Sequence, residues 1–292
     1  MLVPESLIRC CLAAVATTVL WNSSVWADDP LPPLHDGPLG QQRLDLVYGH
    51  KDGMALTLDV FEPKAHRKGI ALMFMVSGGW VSQYMPPQGM AFFIKPLTDA
   101  GYTIIAVRHG SSPKYVIPEI VEDVRQAHRY VVNHAKQLEV DPDQLGVFGF
   151  SAGGHLSLML GTTANDQPAD KPGPKIAAVA AVFPPTDLEP YMEKSNPLRE
   201  RFPALKFDIQ QSADYSPLKQ VSSPDAPTLL LHGDRDDLVP LWHSEKIRDA
   251  MTQARVPNRL VVFQGAGHGF DEDGNKKMFA AMLEWFQEHL GK

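Results

Sequence analysis

The sequence predicts an α/β fold: a mixed, mostly parallel sheet of about eight strands with helices on both faces. Three observations carry this expectation. Apolar runs of strand length alternate with segments of helical periodicity, the pattern of βαβ units. Most of these runs are unbroken rather than alternating, as strands buried on both faces require. One of them passes directly into a helix-like segment through Gly149-Phe150-Ser151-Ala152-Gly153. A G-x-S-x-G turn between strand and helix is a nucleophile elbow.

Taken in order, residues 1–27 read as an export signal. A short start holding Arg9 precedes an apolar run over 10–20, and Val25-Trp26-Ala27 puts small residues where a signal peptidase needs them. Cleavage is expected after Ala27, into a periplasmic or extracellular space, with no membrane anchor left behind. The run is shorter than the roughly 20 residues of a spanning helix. Both cysteines, Cys10 and Cys11, lie in this segment, so the mature chain is expected to hold no disulfide, thiolate nucleophile or cysteine metal site.

Residues 28–41 are proline-rich and read as an irregular lead-in. Residues 42–292 read as one domain. Strands are expected at 44–48 and 55–61, joined through the Asp52-Gly53 turn signal. Buried strands are expected at 70–76, 102–107, 145–150, 176–183, 228–232 and 260–263. Helices are expected at 89–99, 118–135, 152–161, 241–254 and 276–289. In the second of these, Ile120, Val121, Val124, Ala127, His128 and Val131 recur at helical spacing. Residues 187–227 break the rhythm and read as a lid or binding excursion, or equally as cover for the sheet edge.

The net charge of −7 over 292 residues, without any basic block, argues against nucleic acid or an anionic membrane as partner. No metal-ligand spacing of the H-E-x-x-H kind occurs, so neither a metal nor another cofactor is expected.

Serine is a weak nucleophile until a base takes its proton. An elbow at Ser151 therefore demands a histidine and a carboxylate, in the chain order Ser, Asp or Glu, His. The strand at 228–232 leads into Gly233-Asp234-Arg235-Asp236-Asp237. All three carboxylates lie beyond the carboxyl end of the strand, where crevices of parallel sheets form. The last strand leads into Gly267-His268-Gly269, and the glycines leave the imidazole free to swing toward the serine. An oxyanion hole is the remaining requirement. Ser77-Gly78-Gly79-Trp80 follows the buried strand at 70–76, so the N–H groups of Gly78 and Gly79 are candidates to join that of Ala152. Ser77, Trp80 and Tyr84 are candidates to shape the substrate pocket. His155 is expected to pack under the elbow, His232 at the end of its strand, and His109 near a strand end beside the pocket.

These motifs together resemble the α/β-hydrolase superfamily, and in particular its carboxylesterases of the hormone-sensitive-lipase and feruloyl/acetyl-xylan-esterase (BD-FAE-like) type. Prolyl-oligopeptidase-like catalytic domains are near relatives. The resemblance runs from about residue 42 to 290. Its strongest blocks are Val140-Asp141-Pro142 through Leu156, His232-Gly233 with Asp236 and Val239-Pro240, and Gly267-His268-Gly269-Phe270. It implies that Asp236, four residues after His232, is the acid, ahead of Asp237, with Asp234 shaping the turn. One departure stands out. The family segment His-Gly-Gly-Gly-Trp reads Val76-Ser77-Gly78-Gly79-Trp80 here, so the histidine that braces the loop is gone.

The expectation is a secreted serine esterase, acting on small-molecule or polysaccharide esters, acetyl or feruloyl esters among them, through Ser151, His268 and Asp236. A peptidase of the prolyl-oligopeptidase kind is the rival enzyme, disfavoured by the short run before the fold. A non-catalytic binding protein on the same fold is the rival of another class.

Overall fold

The computed structural model describes residues 30–163 and 175–291. The expected signal segment 1–27 lies outside them. One nine-stranded sheet organises the described residues, in the order β1-β2-β3-β5-β4-β6-β7-β8-β9. The strands are β1 (His35–Gly37), β2 (Gly40–Lys51), β3 (Met54–Glu62), β4 (Ala71–Met75), β5 (Thr103–Val107), β6 (Gly146–Phe150), β7 (Ala178–Val182), β8 (Thr228–Gly233) and β9 (Asn258–Phe263). Eight of them are those expected. The ninth, β1, is a three-residue strand in the lead-in that composition marked as irregular. It pairs antiparallel with the start of β2, from His35↔Gln42 to Gly37↔Gly40. Backbone pairing to a long neighbour makes a strand there that no local pattern announces.

β2 and β3 form an antiparallel hairpin, with Lys51 opposite Met54. Asp52 and Gly53 take φ of 49° and 77°, the two positive angles of a type I′ turn whose twist suits the flanking strands. β3 runs antiparallel to β5, and every pair from β5 through β9 is parallel.

Side chains alternate across the parallel strands into two cores. Ala71, Met73 and Met75 of β4 face one core, and Leu72 and Phe74 face the other, the period of two that a strand imposes. α2 (Ile117–Asn133), α3 (Ala152–Thr163) and α7 (Trp242–Gln253) close the first face, while α1 (Pro87–Asp99) and α8 (Glu272–His289) close the second. α3 is buried almost all round, as a helix under the elbow and beneath a further layer must be. That layer is the excursion at 187–227. It holds α4 (Glu189–Met192), α5 (Pro197–Arg201), three short 3-10 turns and α6 (Pro217–Gln220).

The order places the site. From β4 the chain crosses to β5 on one side, then returns past β4 to β6 on the other. That reversal is a topological switch point, and the crevice of an open parallel sheet lies outside the carboxyl ends of the strands that flank it. Here those ends carry Ser77-Gly78-Gly79 after β4 and Ser151 after β6.

Candidate active site

Ser151 sits between β6 and α3 at φ 53°, a left-handed angle rare for a residue with a side chain. Neighbouring glycines allow the turn. A Cβ on Gly149 would lie 2.4 Å from the Gly153 backbone, and one on Gly153 would lie 2.5 Å from the Met75 carbonyl oxygen. Strand, turn and helix can pass this close only with no side chain there.

Three side chains from three loops meet at this point. His268 Nε2 lies 2.9 Å from Ser151 Oγ, and His268 Nδ1 lies 2.7 Å from Asp236 Oδ2. A carboxylate only accepts, so Nδ1–H donates to it and Nε2 is left to accept the hydrogen bond of the Ser151 hydroxyl. Asp236 Oδ1 accepts the backbone N–H groups of Leu238 and Val239, at 3.0 and 2.9 Å. Burial by itself would raise the Asp236 carboxyl pKa. Hydrogen bonds from His232, His268 and the Val239 N–H outweigh burial and hold it well below the usual range. The other two candidate acids are elsewhere. Asp234 accepts the Gly265 N–H at 2.6 Å and shapes the turn, while Asp237 is exposed.

The oxyanion side differs from the expectation at one residue. Gly78 and Val81 exchange backbone hydrogen bonds, both 3.0 Å, so the Gly78 N–H is already committed to the Val81 carbonyl. Gly79 and Trp80 take φ of 57° and 59°, closing a type I′ turn at whose tip the Gly79 N–H is left open. Among the described residues no acceptor meets the N–H of Gly79 or of Ala152. Two donors therefore flank Ser151, one from each strand end.

Trp80 is buried, and its indole N–H points to His155 Nδ1 at 3.3 Å. His155 Nε2 donates in turn to the Tyr215 carbonyl at 2.8 Å, so the expected packing residue ties the oxyanion turn to the excursion. Burial pushes the His155 pKa down to about 4, which keeps the ring neutral and leaves Nδ1 an acceptor.

Beside Ser151 a cleft of about 30 Å³ is walled by Gly79, Trp80, Tyr191, Leu198, Phe202 and Leu205, with Leu238 and Val239 opposite. The excursion supplies Tyr191 through Leu205, so it lines the site as well as covering the sheet. Ser77 and Tyr84 are not in this wall. The chain turns outward after Val81, leaving Tyr84 exposed with its ring 5.6 Å from the Arg108 guanidinium. The Phe183 ring packs tilted against His268, with a centroid distance of 4.4 Å and an interplanar angle of 49°.

Two supporting roles were not read from the sequence: that of His232, expected only to pack at the end of its strand, and that of His243. His232 Nε2 donates to the Val239 carbonyl at 2.7 Å and reaches Asp236 Oδ2 at 3.3 Å, so the acid rests against two imidazoles. His243 Nδ1 accepts the Thr186 N–H at 3.0 Å. Its Nε2–H donates to the Tyr191 hydroxyl at 2.6 Å, which holds that ring in the cleft wall. The signals were a polar residue at the end of a buried strand and a histidine on the inward stripe of α7. Neither names a partner.

A serine at a strained strand–helix turn, a histidine and an aspartate in series behind it, and two open N–H groups beside it define the α/β-hydrolase class. The chain belongs to the BD-FAE family, whose model matches residues 58–251. It is 29% identical over 250 residues to esterase LipC of Mycobacterium tuberculosis, covering 78% of this chain and 60% of that one. It is 28% identical over 271 residues to an ethyl acetate hydrolase of Pseudomonas putida, covering 84% and 82%. The chain spans about two thirds or less of the length of the mycobacterial relatives it matches. In fold it is similar to a carbohydrate esterase from gut microbiota, with a TM-score of 0.73, 24% identity and coverage of 89% and 99%. It is also similar to propionate-bound esterase 2 of Thermogutta terrifontis, with a TM-score of 0.69, 24% identity and coverage of 84% and 93%.

Proposed function

We propose that this protein is a serine carboxylesterase that hydrolyses esters of short acyl groups. The observation that carries the reading is the unbroken series Ser151 Oγ, His268 Nε2, His268 Nδ1, Asp236 Oδ2, with links of 2.9 and 2.7 Å. Ser151 attacks the ester carbonyl as His268 Nε2 takes its proton. The N–H groups of Gly79 and Ala152 stabilise the oxyanion, and Asp236 supports the imidazolium. His268 then gives the proton to the leaving alcohol. Water, activated by the same imidazole, releases the acid from the acyl-enzyme.

The narrow cleft supports the short acyl group. The space beside Ser151, about 30 Å³ between Trp80, Tyr191, Leu198 and Phe202, favours a short acyl tail. The names of the ethyl acetate hydrolase and the propionate-bound neighbour agree with that size. The alcohol, an acetylated polysaccharide among the candidates, and export through cleavage after Ala27 are parts of the same proposal. Among the described residues no helix is long and apolar enough to cross a membrane.

The test is hydrolysis of p-nitrophenyl esters from acetyl to decanoyl by the wild type and Ser151→Ala. Serine-dependent turnover greatest at acetyl or propionyl is expected. A maximum at octanoyl or beyond would refute the short-acyl reading, and the absence of serine-dependent turnover at every length would refute the esterase.

A further inference from the structure

The oxyanion segment lacks the histidine that braces it in the resembled family, and Val76 in that place is buried and apolar. Its neighbour Ser77 is tied on two sides. Its carbonyl accepts the N–H of Gly153 in the elbow at 3.3 Å. Its hydroxyl lies 2.8 Å from Nε2 of His109, which follows β5 and is 5% exposed. The other ring nitrogen, Nδ1, lies 2.8 Å from the Gly110 carbonyl. That oxygen can only accept, so Nδ1 carries the proton, Nε2 is bare, and the Ser77 hydroxyl must donate.

The anchor behind His109 is firm. The Arg108 carbonyl accepts the Tyr48 hydroxyl at 2.7 Å. The Gly110 N–H donates to Asp123 Oδ2 at 2.9 Å, and Asp123 pairs with Lys51 at 2.8 Å. The same strand end holds the oxyanion turn at two further points. The Ser112 N–H donates to the Trp80 carbonyl at 3.1 Å, and the Ser82 N–H donates to Ser111 Oγ at 2.8 Å.

We propose that His109 and Ser77 form the brace of this oxyanion hole, with His109 acting through the Ser77 hydroxyl to set the spacing between the Gly79 and Ala152 N–H groups. Ser77 is bonded both to the elbow, beside Ala152, and to the strand end that holds the Gly79 turn. Its hydroxyl proton is committed to His109, so it is a positioning residue and not a third donor to substrate. Nor is the pair a second nucleophile and base. Burial pushes the His109 pKa down to about 4, too weak a base to take a hydroxyl proton at neutral pH, and no carboxylate stands behind Nδ1. The proposal rests on the esterase reading above.

The experiment measures kcat and KM on p-nitrophenyl acetate for the wild type, Ser151→Ala, Ser77→Ala, Ser77→Thr, His109→Phe and the double variant Ser77→Ala/His109→Phe. Thermal unfolding of each establishes folding. Ser77→Ala and His109→Phe are each expected to lower kcat about 10- to 100-fold with little change in KM, as sub-ångström displacement of an oxyanion donor does. Ser77→Thr, which keeps the hydroxyl, is expected to recover most of the rate. The double variant should be no slower than the slower single, because one interaction is lost only once. Full kcat in folded Ser77→Ala, no recovery in Ser77→Thr, or additive losses in the double variant would each overturn the brace while leaving the esterase intact. If His109→Phe does not fold, the Ser77 pair alone decides. Fluorophosphonate labelling that survives Ser151→Ala and disappears with Ser77→Ala would make Ser77 a nucleophile and overturn the brace. A wild type without serine-dependent turnover would remove the esterase reading and the brace together.

Discussion

At the residue scale, the site rests on which of several chemically equal groups points the right way. Asp234, Asp236 and Asp237 are the same carboxylate within four positions of chain. Asp236 alone is aimed inward, with Oδ1 held by two backbone N–H groups and Oδ2 shared by His268 and His232. Sequence order allowed all three, and resemblance favoured one; the direction of the side chain comes from the turn after β8. Three substitutions test this. Ser151→Ala should lower kcat by on the order of 10⁴- to 10⁶-fold, measured on p-nitrophenyl acetate. Asp236→Asn should lower it by about 10⁴-fold with KM little changed, because the amide presents the wrong partner to His268 Nδ1. Asp237→Asn, on an exposed neighbour, should leave kcat within a factor of about two, the range expected for surface changes.

At the element scale, the elbow and the oxyanion turn were visible as glycine patterns, but their use was only half visible. Gly78 and Gly79 look equivalent in sequence. The type I′ turn separates them, because one N–H closes the turn against Val81 and the other is left at its tip. A Cβ on Gly79 would also meet the Phe202 ring at 2.8 Å. Gly79→Ala should therefore lower kcat at least tenfold in steady-state assays, through both backbone strain and the displaced donor. The excursion is the element least legible in the sequence. Its helices are four or five residues long, too short for a periodic signal, and they are held by contacts to the rest of the fold. Phe202, just after α5, closes the cleft against Trp80 at a ring distance of 6.1 Å. Phe202→Ala should move the optimum from acetyl toward butyryl or longer, raising the butyrate-to-acetate ratio of kcat/KM about tenfold or more, since each methylene a pocket accepts is worth 10- to 200-fold. A p-nitrophenyl ester series reads this directly.

At the scale of the whole molecule, two features depend on chain segments far apart in sequence: the switch point between β4 and β6, and a set of buried neutral histidines. Burial pushes His109, His128 and His155 down to about 4, and burial, helped by the nearby Lys246 charge, pushes His243 to about 3. Each folded pKa lies below the unfolded value near 6.5. The unfolded chain therefore binds more protons in that window, and the stability present above pH 6.5 is lost as pH falls toward 4. Each such histidine contributes a slope of up to about 1.4 kcal/mol per pH unit there. The thermal midpoint should be flat above pH 7 and fall by on the order of 10 °C or more between pH 7 and 5, as measured by circular dichroism. A midpoint unchanged to pH 4.5 would refute the assignment of these rings as neutral. The strand runs, the helix stripes, the elbow pattern and the candidate serine and histidine were legible in the sequence alone, because periodicity and glycine placement are local properties of a chain. Only the tertiary structure decided which aspartate faces inward, which glycine N–H stays open, that His109 grips Ser77, and how wide the cleft beside Ser151 is. Each of these depends on the distance and direction between groups from separate loops, and no pattern along one strand or helix encodes that relation.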